Sequence, residues 1–177
     1  MLQTRTDHVR DVEENMDIKL LIPKALMVLT VAAMSVPDIR RKKVPVYMMF
    51  LMLIPVTASI ISDLVVINIR GGEQVTIEEF IGRLLAVMGL GLIPGAALIL
   101  LGRVTGKIGL ADGIVLSGIG VMEGFMGALS VICFGSLLLS IPAAVLLAAK
   151  KVKRQTGLPF IPFLGAGYLI WIFLLSR

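Results

Sequence analysis

The chain has 177 residues, 57% of them hydrophobic and 16% charged, with a formal net charge of +5. Soluble domains use roughly 45–50% apolar residues, so this composition, with a mean hydropathy of +0.96, excludes an ordinary water-soluble domain and places the chain in a bilayer. The basic balance and a pI near 9.7 suit nucleic acid in principle. Most of the positive charge falls where membrane topology alone demands it, so no nucleic-acid partner is expected.

In chain order, residues 1–19, MLQTRTDHVRDVEENMDIK, mix both signs of charge and lack the apolar core of a signal peptide. They read as a polar N-terminal tail ahead of a membrane domain at 20–177. Six apolar runs follow, at Leu20 to Val36, Val44 to Ile67, Phe80 to Leu101, Ile108 to Met122, Phe125 to Ala149 and Leu158 to Leu175. A span needs roughly 20 apolar residues, and all but the fourth run are long enough. No period-two alternation appears, and backbone groups cannot stay unpaired in hydrocarbon, so helices are required rather than a barrel. The expected fold is all-α, a polytopic bundle of about six transmembrane helices. The short fourth run, with Gly109, Gly113, Gly118 and Gly120, offers small faces for close helix approach and is expected at the bundle centre.

Lysine and arginine set the orientation. Arg40, Arg41, Lys42 and Lys43 follow the first run, Arg103 and Lys107 the third, and Lys150, Lys151, Lys153 and Arg154 the fifth. The alternate loops carry Glu73, Glu78, Glu79 and Glu123 against a single arginine, Arg70. Both termini are therefore expected outside, with the basic loops in the cytoplasm of a multi-pass cell-membrane protein.

Residue inventory narrows the chemistry. Cys133 is the single cysteine and sits in an apolar stretch, so no disulfide or cysteine-based zinc site forms within one chain. His8, the single histidine, lies in the polar tail, which argues against histidine-dependent proteases and histidine-ligated metals inside the membrane. No cofactor or metal is expected. The remaining candidates are acids near or within the spans: Asp38, Asp63, Asp112 and Glu123. Asp63 and Glu123 fall at the outer ends of their runs, where water can reach them. Asp38 closes the first run and Asp112 opens the fourth, which puts both at the cytoplasmic end. Two carboxylates held at one depth cannot both ionise easily, and a pair sharing one proton can activate water and polarise a carbonyl. Gly109 and Gly113 beside Asp112 leave space for a substrate backbone. On these residues alone the alternative stays open of a proton- or cation-coupled transport protein with Asp38 and Asp112 as relay acids.

The segments DIRRKKVP (Asp38 to Pro45), GLAD (Gly109 to Asp112) and LPFIPFLGAG (Leu158 to Gly167) together resemble, in order, those of the type IV prepilin and preflagellin peptidases, membrane-embedded aspartic proteases. The likeness covers nearly everything after the tail. It implies Asp38 and Asp112 as the catalytic pair, Gly109, Ala111 and Gly113 at the substrate, and cleavage of a short basic leader from prepilin- or preflagellin-like precursors at the cytoplasmic face. Ala111 stands where the family has a second glycine, Ile114 where many members have lysine, and Ile161 where a small residue is common. The first cytoplasmic loop is only DIRRKK, without the cysteine-bearing insertion that goes with zinc and N-methylation in many bacterial members, so the resemblance is to the minimal form. A presenilin-like protease shares the chemistry. It fits less well, because Asp38 follows Pro37 rather than that family's tyrosine. Two substitutions distinguish the ends of the fourth run on this reading: Gly113→Val is expected to crowd the cleft, and Gly120→Ala to be tolerated.

Overall fold

The computed structural model describes residues 2–41, 44–70, 77–106, 109–149 and 159–174. The element order is α1 (Leu2–Arg41), α2 (Val46–Leu51), α3 (Leu53–Arg70), α4 (Ile77–Thr105), α5 (Leu110–Ala148) and α6 (Ile161–Leu174), with no strand among the described residues. The protein is thus an all-α bundle. Four helical stretches are long and apolar enough to cross a membrane: Leu21–Arg40, Val46–Leu64, Leu84–Thr105 and Leu110–Ala148. α6 is apolar but has 14 residues. Lys42, Lys43, Lys107 and residues 150–154 of the basic loops, and Leu158 of the sixth run, lie outside the described residues.

Proline and glycine decide where the helices bend. Pro55 has no amide to offer the Leu51 carbonyl, and the second apolar run is accordingly interrupted at Met52, between α2 and α3. Gly124 takes φ +76°, a conformation that side-chain-bearing residues rarely adopt. There α5 turns back on itself. A methyl group on Gly120 would lie 3.3 Å from Ala128 Cβ, whereas eight residues of unbroken helix separate two positions by about 12 Å. The fourth and fifth runs are therefore the two arms of α5. Residues 2–19 of the polar stretch form the first half of α1, whose backbone is helical without a break at residue 20.

The first arm of α5 is the central element, as expected from its glycines. Ala111, Asp112, Gly113, Val115, Leu116, Gly118, Ile119 and Gly120 are all buried. It crosses α4 backbone to backbone. A Cβ on Gly91 would strike the Gly120 carbonyl, and one on Gly95 would strike Ser117 and Gly113, so small residues on both sides set the approach. On its other side Met27 of α1 and Met52 lie over Gly118. The second arm meets α6 in a similar seam, where a Cβ on Gly167 would lie 2.7 Å from the Val131 carbonyl. Met27, Val31, Met34, Val115, Leu116, Ile119 and Leu164 fill the space between α1, α5 and α6.

Candidate active site

Asp38 lies near the end of α1 and Asp112 in the first turn of α5. Both are buried, with relative exposures of 9% and 7%. An acid so placed must find donors, because an unpaired buried carboxylate is costly. Asp112 finds one locally: the Gly109 amide donates to its Oδ2 at 3.1 Å, while the Asp112 amide donates to the Gly109 carbonyl at 3.2 Å. This reciprocal pair caps α5 and fixes the Asp112 side chain over the helix start, where the helix dipole favours negative charge. Asp38 finds its donor far along the chain, in the Ile161 amide at 3.2 Å from Oδ2. Ile161 opens α6 directly after Pro159 and Phe160. One helix end thus supplies the acid and the start of another supplies the amide that holds it.

A carboxylate accepts about four hydrogen bonds, and these amides occupy only part of that capacity. Lone pairs remain for a water or a substrate. Among the described residues no group of three or more His, Cys, Asp or Glu side chains gathers at one place.

The other expected site residues fall differently. Gly109 is exposed at the helix start, with its missing side chain facing the Asp112 carboxylate. Ala111 is buried at 8% exposure. Gly113 faces α4: a Cβ there would collide with Ile99 and lie 2.9 Å from the Gly95 carbonyl. The space its lack of a side chain leaves is filled by a neighbouring helix. A Cβ on Gly120 would likewise meet the Gly91 carbonyl. Ile114 packs partly buried against the core.

Of the two remaining acids, Asp63 is exposed on α3. Asp63→Asn is expected to leave any hydrolytic activity within about twofold, as surface changes away from a site usually do little, measured on the same substrate as the parent. Glu123 departs from the expectation that it reaches water. Its side chain is 9% exposed. The Tyr168 hydroxyl donates to its Oε1 at 3.1 Å, the Trp171 indole N–H donates to its Oε2 at 3.0 Å, and Lys24 Nζ stands 3.8 Å from Oε1. The available signal was periodicity: Asp112 and Glu123 are eleven residues apart, about three helical turns, and so share a face.

No protein-family description, curated protein or solved structure matches the chain.

Proposed function

We propose that this protein is a membrane aspartic endopeptidase that removes a short basic leader from prepilin- or preflagellin-like precursors at the cytoplasmic face of the cell membrane. The observation that carries the reading is the buried pair itself. Asp38 and Asp112 are both buried, and each is held by a backbone amide. The resemblance of DIRRKKVP, GLAD and LPFIPF to prepilin peptidase motifs supplies the substrate class.

The chemistry needs the pair to hold one proton. The unprotonated carboxylate takes a proton from a water as the water oxygen bonds to the scissile carbonyl carbon. The protonated partner donates a hydrogen bond to the carbonyl oxygen as negative charge builds there. The tetrahedral intermediate then collapses, the C–N bond breaks, and the departing nitrogen takes a proton from the pair. One water is consumed, and a new carboxyl and a new amine result. Protons can pass between the two acids, so neither is tied to one role.

A substrate helix hides its amides in its own hydrogen bonds. Cleavage therefore belongs at the boundary between the extended leader and the hydrophobic helix, at the end of the bundle where the pair sits. Incubation of the purified protein with candidate precursors, with the cut located by mass spectrometry, tests activity and specificity together. The sidedness has its own expected result. Cysteines at Lys42, Lys107 and Lys151, in a chain lacking Cys133, should label from the cytoplasmic side alone, and one at Gly72 from outside alone. The reverse pattern would separate the pair from a basic-leader substrate.

A further inference from the structure

Each helix that serves the aspartate pair also reaches the Glu123 cluster. On α1, Lys24 and Asp38 are fourteen residues apart, about four turns. On the first arm of α5, Asp112 and Glu123 are about three turns apart. On α6, Ile161 and Tyr168 are about two turns apart, with Trp171 roughly one turn beyond. Near-whole numbers of turns keep each set on one face. Polar contacts therefore join α1 to α6 at the aspartate level and α1, α5 and α6 at the Glu123 level, with the buried layer of Met27, Val31, Met34, Val115, Ile119 and Leu164 between them.

The two ends differ in what they do. At one end the Ile161 amide donates to Asp38, and at the other Tyr168 and Trp171 donate to Glu123. α6 is the strut between them. Its seam with the second arm of α5 is lined by Gly135 and Gly167, and small residues offer little interlocking to resist sliding. A specific polar contact supplies register in such a case, as buried polar residues do in coiled coils. Glu123 is well placed for this, because it directly precedes the Gly124 turn and so links both arms of α5 to α6.

We infer that Glu123 is a positioning residue for the aspartate pair. By holding Tyr168 and Trp171 it sets the height and rotation of α6, and through α6 the placement of the Ile161 amide on Asp38. The link to catalysis rests on the peptidase reading; the link to α6 does not.

The test is hydrogen–deuterium exchange of the full-length protein in detergent, read over residues 160–166 and over α4, together with cleavage kinetics. In Glu123→Ala, exchange over 160–166 should accelerate roughly tenfold with α4 unchanged, which is the signature of local rather than global opening. With a cleavable precursor, kcat should fall about tenfold while KM stays within about twofold, as expected when orientation of the reacting groups is lost rather than substrate binding. Tyr168→Phe removes one oxygen and keeps the ring packing, so it should shift both readouts in the same direction by less, and it serves where Glu123→Ala does not fold. Glu123→Gln, which keeps one acceptor oxygen, should restore part of each effect. Unchanged exchange over 160–166 in Tyr168→Phe and in any folded Glu123→Ala overturns the inference, and so does an equal rise in α4, which marks general loosening. A parent protein that cuts no basic-leader precursor sinks the peptidase reading, and the exchange result then decides the role of Glu123 in placing α6.

Discussion

Asp38→Asn and Asp112→Asn should each lower cleavage of a basic-leader precursor by at least roughly a hundredfold, since a positioned acid or base contributes about 10²–10⁴-fold. Asparagine is the appropriate change because it matches the size of aspartate and keeps an oxygen that can accept the Ile161 or Gly109 amide. The helix contacts around each position are then retained. What disappears is the ability to exchange a proton, and a pair that shares one proton fails when either half cannot carry it. The two single variants should therefore be about equally inactive, and the double variant little worse than either, because removal of one partner already disables the unit. Folding is checked by thermal unfolding in detergent. Turnover near the parental rate in either well-folded variant would show that Asp38 and Asp112 do not act as a catalytic pair.

Much of the architecture is legible in the chain because lipid restricts the options. Backbone groups must be satisfied inside each segment, so six apolar runs become helices in order, and glycine density marks the central one. Asp38 ends one run and Asp112 begins another, and both are buried in the bundle; that they share one side is an expectation from the basic loops. The contact that secures Asp38 is another matter. Its donor is the backbone amide of Ile161, 123 residues away, and a backbone amide carries no residue-type signature. Glu123 is set aside as water-accessible because MEGF reads as a polar turn between two apolar runs. Gly124 does make that turn, but the carboxylate before it points back among Tyr168, Trp171 and Lys24. Gly113 is read for the acid beside it in sequence, whereas its neighbour in space is α4. In each case periodicity places the residue on a helix and leaves open which helix it faces.

The crossing of α4 and α5 yields the largest expected change in stability. A Cβ added to Gly120 would meet the carbonyl group of Gly91, and one added to Gly91 would meet the carbonyl group of Gly120. Both neighbours are backbone, so no side-chain rotation relieves the contact. α4 has to move outward, and that motion loosens the packing of Gly95 against Ser117 and Gly113 further along the same seam. Overpacking of a tight core costs about 1–3 kcal/mol, and a rigid backbone partner puts Gly120→Ala at the upper end. At about 2–4 °C per kcal/mol for a chain of this size, the unfolding midpoint should fall by roughly 6–12 °C. Gly89→Ala is the control, because that position is exposed with nothing within 4 Å of an added Cβ; it should unfold within about 2 °C of the parent, as surface changes usually stay within ±0.5 kcal/mol. Gly113→Val separates the two roles considered for that residue. A residue that only admits substrate would lose turnover and keep the parental midpoint. A residue at the helix seam loses both, because valine at this position strikes Ile99 and the Gly95 carbonyl. A parental midpoint in Gly120→Ala would mean that α4 and the first arm of α5 do not meet backbone to backbone, and the burial of the segment carrying Asp112 would need another cause.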